Sequence, residues 1–167
     1  MVNGKQKGNG FERKVAKKLT EWCGQKFNRT PMSGALRWDN DKRVVSDIVP
    51  PQSMKWPFSV ECKCVESSWE FNTLLENTAT LWKHWEQADS DAQREDMIPM
   101  LVFTKNYRND FVAVYQETFS NLQLGSKKSY SFPYILVNSP TFAPVVVTHL
   151  DSFLSFFEIS DIQKLCN

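Results

Sequence analysis

Three side chains in the stretch from Val44 to Val65 have the types and spacing to do chemistry together: Asp47, Glu61 and Lys63. Two carboxylates held close repel strongly in a protein interior, and a bound cation is the natural relief. All-oxygen ligands select a hard ion such as Mg²⁺ or Mn²⁺, which keeps some of its waters. Such an ion lowers the pKa of a bound water and neutralises charge on a phosphoryl oxygen. A lysine beside it can orient or deprotonate the attacking water, or stabilise the developing negative charge. The main-chain carbonyl of Cys62 could add another oxygen ligand. The chemistry these residues suit is metal-assisted hydrolysis of a phosphodiester.

The elements that would position them are two apolar runs, V-V-S-D-I-V and F-S-V-E-C-K-C-V, flanking P-P-Q-S-M-K-W-P. They read as two strands joined by a loop or turn. Side chains alternate along a strand, so Glu61 and Lys63 share one face while Val60, Cys62 and Cys64 share the other. Charges inside runs apolar enough to be core mark a conflict of the kind that functional sites produce. An E-x-K tripeptide alone is common. An aspartate in an apolar run 14 residues before V-E-C-K is more restrictive. The plain alternative is a buried Glu–Lys ion pair with no further role.

Upstream, G-N-G-F-E-R-K-V-A-K-K-L-T-E-W-C sets Phe11, Val15, Leu19 and Trp22 at helical spacing, with Asn9 as an N-cap and Glu12 at its N3 position. On spacing alone Glu12 reads as part of the cap; the other reading points it toward the central strands. Gly24 ends this helix. The next segment carries Arg29, Arg37, Lys42 and Arg43, with Ser33-Gly34 as a small turn where backbone and hydroxyl could approach a phosphate. An ordinary solvated loop is the alternative there. Downstream, Ser67 to Glu70 forms a capping box opening a helix whose stripe includes Phe71, Leu74, Leu75, Leu81, Trp82 and Trp85, with His84 off the stripe and exposed. That helix is expected to give way at the acidic run D-S-D-A-Q-R-E-D. Strands follow at 98–104 and 111–115 as a hairpin, then at 130–137 and 144–148. A short helix after Asp151 carries Phe153, Leu154, Phe156 and Phe157, either as core or as a dimer surface. Helices alternating with strands predict a central sheet with helices packed on it.

At 167 residues, 41% of them hydrophobic, the chain can bury a core without disulfides. Its four cysteines show no C-x-x-C pairing, and no apolar run reaches membrane-spanning length. The N-terminal residues lack the apolar core of a secretory signal. A soluble cytoplasmic protein with no membrane partner is the expectation, in the host cytoplasm if phage-encoded. The formal charge of +1 conceals an asymmetry, with 11 basic and 4 acidic residues in 1–45 against 9 and 15 in the rest. A basic end suggests a polyanion-facing surface, with a solvated helix face as the alternative.

These residues carry a resemblance. D-I-V followed by V-E-C-K is similar to the PD-(D/E)XK nuclease signature. K-G-N-G-F-E-R-K-V-A-K-K-L and R-T-P-M-S-G-A resemble the opening of archaeal-type Holliday junction resolvases and their phage relatives. The resemblance covers roughly residues 7–105 of a single nuclease domain expected over 1–167, leaving about 106–167 as a strand and helix extension. It implies an α/β fold of the restriction-endonuclease type, a mixed β-sheet flanked by helices. It makes Glu12, Asp47, Glu61 and Lys63 catalytic. Asp47, Glu61, Glu12 and the Cys62 carbonyl become the ligands of Mg²⁺, with Mn²⁺ able to substitute. Arg13, Arg29 and Ser33 become DNA contacts, joined by Arg37, Lys42 and Arg43 of the same basic segment. The implied protein is an endonuclease cutting branched DNA, a four-way junction, as a homodimer whose twofold matches that of the junction. Other readings are a recombination, repair or restriction-type nuclease, and a DNA-binding module without catalysis.

Overall fold

The apolar runs at Ile98–Lys105 (β4) and Asp110–Tyr115 (β5) form neighbouring antiparallel strands inside a five-stranded sheet. The structure is a computed structural model and describes residues 4–30, 46–65, 73, 76, 80–105 and 108–166. On one side of β4 lies β3 (Phe58–Val65), parallel to it and in register from Phe58 opposite Ile98 to Val65 opposite Lys105. A parallel pair needs a crossover, here helix α2 (Thr80–Arg94). Beyond β5 come β7 (Val145–His149) and, at the far edge, β6 (Tyr134–Val137), both antiparallel, so the order is β3-β4-β5-β7-β6. A two-stranded ribbon of β1 (Asn28–Arg29) and β2 (Ile48–Val49) lies outside β3.

Strand alternation sorts the sheet into two cores. Met100, Val102, Val112, Val114 and Val146 face a cluster with Phe11, Val15 and Leu19 of α1 (Gly4–Cys23). The same cluster takes Phe119 and Leu122 of α3 (Gln116–Gly125), Phe153 and Phe156 of α4 (Leu150–Phe156), and Ile162 of α5 (Ile159–Gln163). Leu101, Phe103, Ala113, Val145 and Val147 face Leu81, Trp82, Trp85 and Ala88 of α2. The result is a mixed sheet with helices on both faces, as the sequence led us to expect. Residues after 105 supply three of the five strands, so the extension is built into the core. Trp22 Nε1 donates to the carbonyl of Phe157 at 3.1 Å, tying α1 to the C-terminal helices.

Several boundaries differ from expectation. The first helix starts at Gly4, with Asn9 inside it, and Asn9 is therefore not its N-cap. The helical pattern runs upstream through Gly8 and Gly10, each costing only about 1 kcal/mol. Helix α2 does not stop at the acidic run. Ala88, Asp89 and Ala92 continue its buried stripe, and Asp89 accepts hydrogen bonds from Tyr115 Oη and Gln93 Nε2, both at 2.8 Å. The capping box at Ser67–Glu70 lies outside the described residues. Strand β6 is four residues long, beginning after Pro133, which has no N–H for a ladder. Helix α3 was not expected, because Tyr115 gives it no side-chain cap and only Thr118, Phe119 and Leu122 are buried. Phe153, Phe156 and Phe157 are core.

Candidate active site

Strand β3 pairs with β4 along one side only, and the site is built where its other side would otherwise be open. Of the run V-V-S-D-I-V, only Ile48–Val49 is strand among the described residues; Ser46 and Asp47 form a bend before it. That bend is pinned from three directions. Thr30 N–H donates to the Asp47 carbonyl at 2.9 Å, Asp47 N–H donates to the Val60 carbonyl at 3.1 Å, and Cys62 N–H donates to Asp47 Oδ2 at 2.9 Å. A carboxylate thus takes the place of a neighbouring strand. The N–H and C=O of one strand residue point to the same side, so the Cys62 carbonyl opens toward the Asp47 side of β3.

Glu61 and Lys63 project together, as their spacing predicts, with Lys63 Nζ 2.6 Å from Glu61 Oε1. Gln87 of α2 donates from Nε2 to the same oxygen at 3.0 Å. Both Asp47 and Glu61 are buried. Burial, and then the charge of Asp47, push Glu61 up to about 7, while the hydrogen bond and charge of Lys63 pull it down. Cys62 is buried against the α1 core, and burial followed by the charges of Asp47, Glu61 and Glu12 pushes its thiol up, so it is no nucleophile. His84, one turn before Gln87, is half-buried rather than exposed. Burial, then the positive charges of Lys63 and Lys83, hold its pKa below the usual histidine value.

From the opposite face of β3, α1 brings Glu12, which is buried and pairs with the Arg29 guanidinium. Arg29 also donates to Asn9 Oδ1 at 2.8 Å. Strand β1 sets Arg29 there, in register with Ile48 and so beside Asp47. Arg13 is exposed on α1. Ser33, Arg37, Lys42 and Arg43 lie outside the described residues. The ends of their segment are placed, however: Thr30 donates from its hydroxyl to the Ser46 carbonyl. Residues 30 and 46, which flank that segment in the sequence, therefore meet next to Asp47.

Not all of the basic N-terminal charge serves this surface. Lys14 and Lys18 both reach the buried carboxylate of Asp110, at 2.8 and 3.0 Å, and Lys18 also pairs with Asp151. Burial alone would raise Asp110, but the hydrogen bonds and charges of the two lysines hold it below the usual carboxylate range. These lysines clamp α1 to the sheet.

Among the described residues no three Asp, Glu, His or Cys side chains gather into a cage. Two buried carboxylates and a strand carbonyl fit an ion that dehydrates reluctantly and completes its shell with waters and substrate oxygens, as Mg²⁺ does. Burial first and the Asp47 charge second raise Glu61, and a cation held between the two carboxylates would relieve both.

A mixed sheet covered by helices on both faces, with E-x-K on its edge strand and an aspartate closing that edge, has the restriction-endonuclease-like architecture of the PD-(D/E)XK nucleases. The comparison with known families agrees: the model described as "phage putative PDDEXK endonuclease" matches residues 3–164, and the chain belongs to that family. The match runs through the C-terminal region, which the resemblance to junction resolvases did not reach. No curated protein and no solved structure matches the chain. Among the described residues, no helix is long and apolar enough to cross a membrane.

Sequence reasoning missed Gln87. Its signal was weak, a polar residue off the apolar stripe of an amphipathic helix, and only the crossover geometry of α2 brings it to Glu61.

Proposed function

We propose that the protein is a Mg²⁺-dependent DNA endonuclease whose substrate is branched DNA, a four-way junction cut by a homodimer. One observation carries the catalytic part: the Cys62 N–H fixes the Asp47 carboxylate at the open side of β3, and the Asp47 charge acts on Glu61, which pairs with Lys63. Asp47, Glu61 and the Cys62 carbonyl would hold the ion, with Glu12 joining when Arg29 turns to a phosphate. The ion, when bound, supplies an acidified water and neutralises charge on the phosphate. Lys63 Nζ orients or deprotonates the attacking water, or offsets the negative charge that grows on the phosphoryl oxygens. Gln87 and Lys63 together fix the Glu61 carboxylate. Arg13, exposed beside Glu12, contacts the DNA backbone, and Ser33, Arg37, Lys42 and Arg43 do so from the basic stretch of sequence between residues 30 and 46. The junction preference and the dimer are supported by the resemblance of the first helix and the R-T-P-M-S-G-A segment to resolvases. Residues 106–167 belong to the same nuclease domain.

The test is a cleavage assay on a four-way junction, a fork, a linear duplex and single strands, with Mg²⁺, Mn²⁺ or neither. Cleavage of the junction in preference to the others, and only with a divalent ion, is expected. Metal-independent cutting sinks the mechanism, equal cutting of all substrates sinks the junction preference, and binding without cutting leaves a DNA-binding module.

A further inference from the structure

Among the described residues, strand β6 is the far edge of the sheet, paired with β7 on one side only. Edge strands in monomeric proteins are usually kept very short or defended by charges, proline or bulges within them; β6 is short but has none of the other three. This one reads Y-I-L-V, and its first three residues are exposed: Tyr134 by 47%, Ile135 by 38% and Leu136 by 44%. Leu124 and Tyr130 are the other two large apolar residues that are exposed among the described residues, so all of them fall between 124 and 136. Concentration of exposed apolar surface in one place is the mark of an interface.

The geometry narrows the occupant. The Tyr134 ring packs, tilted, against Phe119 of α3 with centroids 4.9 Å apart, on the face shared with α1, whereas Val137 lies in the α2 core. Alternation puts Leu136 with Tyr134 and Ile135 with Val137. Apolar surface is thus exposed on both faces of one strand. A helix laid on the sheet would cover one face and leave the other wet. An added strand extends both faces and satisfies the edge N–H and C=O groups as well. Charge narrows it further, for no Asp, Glu, Lys or Arg occurs from Ser129 to Thr148 in a chain with 23% charged residues. DNA is held largely through phosphate contacts from cationic side chains, and β6 has none to offer. The complement of an uncharged apolar edge is another of the same kind.

We infer that β6 is the homodimer interface, two copies of the strand pairing antiparallel across a twofold axis to make one sheet continuous through both chains. A twofold perpendicular to a strand makes its copies antiparallel, so the contact is self-complementary and closes at two chains. Tyr134, Ile135 and Leu136 would be buried on both faces, with Tyr130 and Leu124 flanking. This inference rests on the homodimer reading alone and needs neither DNA nor metal.

The test is sedimentation equilibrium of the full chain without DNA or divalent ions, with Ile135→Lys and Leu136→Lys beside it. Wild type should have twice the chain mass, and both variants the mass of one chain with unchanged circular dichroism. Because an edge substitution can disturb folding, hydrogen exchange of wild type provides a second reading: the β6 amides should be protected at high protein concentration and lose protection on dilution. A wild-type monomer throughout overturns the interface, as does a dimer that persists in both folded variants. A variant that stays dimeric but loses DNA binding assigns the edge to DNA and overturns it too. Junction cleavage by a monomeric wild type would leave the nuclease reading standing, and an inert dimer would leave the interface standing.

Discussion

The two edges of the sheet solve the same problem in opposite ways. At β3 the unpaired side is closed by the bend at Asp47, whose carboxylate accepts the Cys62 N–H, and the strand beneath carries Glu61 and Lys63 where core residues would sit. At β6 no other described strand pairs the outer side, and the strand is uncharged and apolar on both faces. Buried like charges cost stability and are kept for what they do, whereas an open apolar edge costs nothing in a monomer beyond its liability to pair. On the proposed reading, the buried charges at β3 are kept for chemistry and the apolar edge at β6 for association.

The largest expected effect breaks the β3 edge. Asp47→Asn, Glu61→Gln and Lys63→Ala should each lower single-turnover cleavage by at least about 100-fold while leaving DNA binding intact, since each removes a ligand or a charge aimed at the reacting phosphate. Full activity in Glu61→Gln would sink the assignment. Ile135→Lys at the other edge should leave the metal-binding residues untouched.

The next effect is on stability, and it has the opposite sign. Glu61 is raised by burial and by Asp47 to about 7 in the folded chain. The folded state then binds a proton that the unfolded state has released, in the window from the ordinary glutamate range up to about 7. Without a divalent ion, stability should therefore fall as pH rises through that window and level off above it, by on the order of 3 kcal/mol. Thermal melts against pH would show the fall in wild type and its absence in Glu61→Gln. Adding Mg²⁺ above that window should restore stability to wild type and not to Glu61→Gln. A flat wild-type profile would mean the two carboxylates do not strain each other.

Gln87 comes third. Its amide donates to Glu61 Oε1, and residues that orient a metal ligand, as Glu61 is proposed to be, are worth about 10-fold or more in metal affinity or activity. Gln87→Ala should raise the Mg²⁺ concentration needed for half-maximal cleavage by that factor, with saturation recovering most of the rate. A loss that saturating Mg²⁺ does not recover would make Gln87 more than a positioning residue.

Legibility in the sequence followed the range of the interactions. Period-two alternation is local, so the shared face of Glu61 and Lys63 and the hairpin of β4 and β5 could be read directly. Glu12 was readable only as a cap or a site acid, because the pairing that decides its surroundings is with Arg29, 17 residues away on a two-residue strand. Helix α2 ran past its expected end because Asp89 finds Tyr115 on β5, a contact that no window of sequence contains. The open edge at β6 was hidden for a related reason: Y-I-L-V looks like any core strand until the sheet order places it last.

The smallest expected effect separates charges that look alike on α1. Lys14 and Lys18 are committed to Asp110, whereas Arg13, beside Glu12, is exposed. Arg13→Ala should therefore weaken DNA binding only a few-fold, uniformly across sequences, and reduce the slope of log affinity against log salt by about 1. Lys14→Ala should leave that slope alone, because its ammonium is already neutralised by a buried carboxylate, and should show instead as a lower melting temperature. Binding titrations at several salt concentrations read both. If Lys14→Ala flattened the salt slope as much as Arg13→Ala, the clamp would be part of the DNA surface, and the division of labour along the helix would fall.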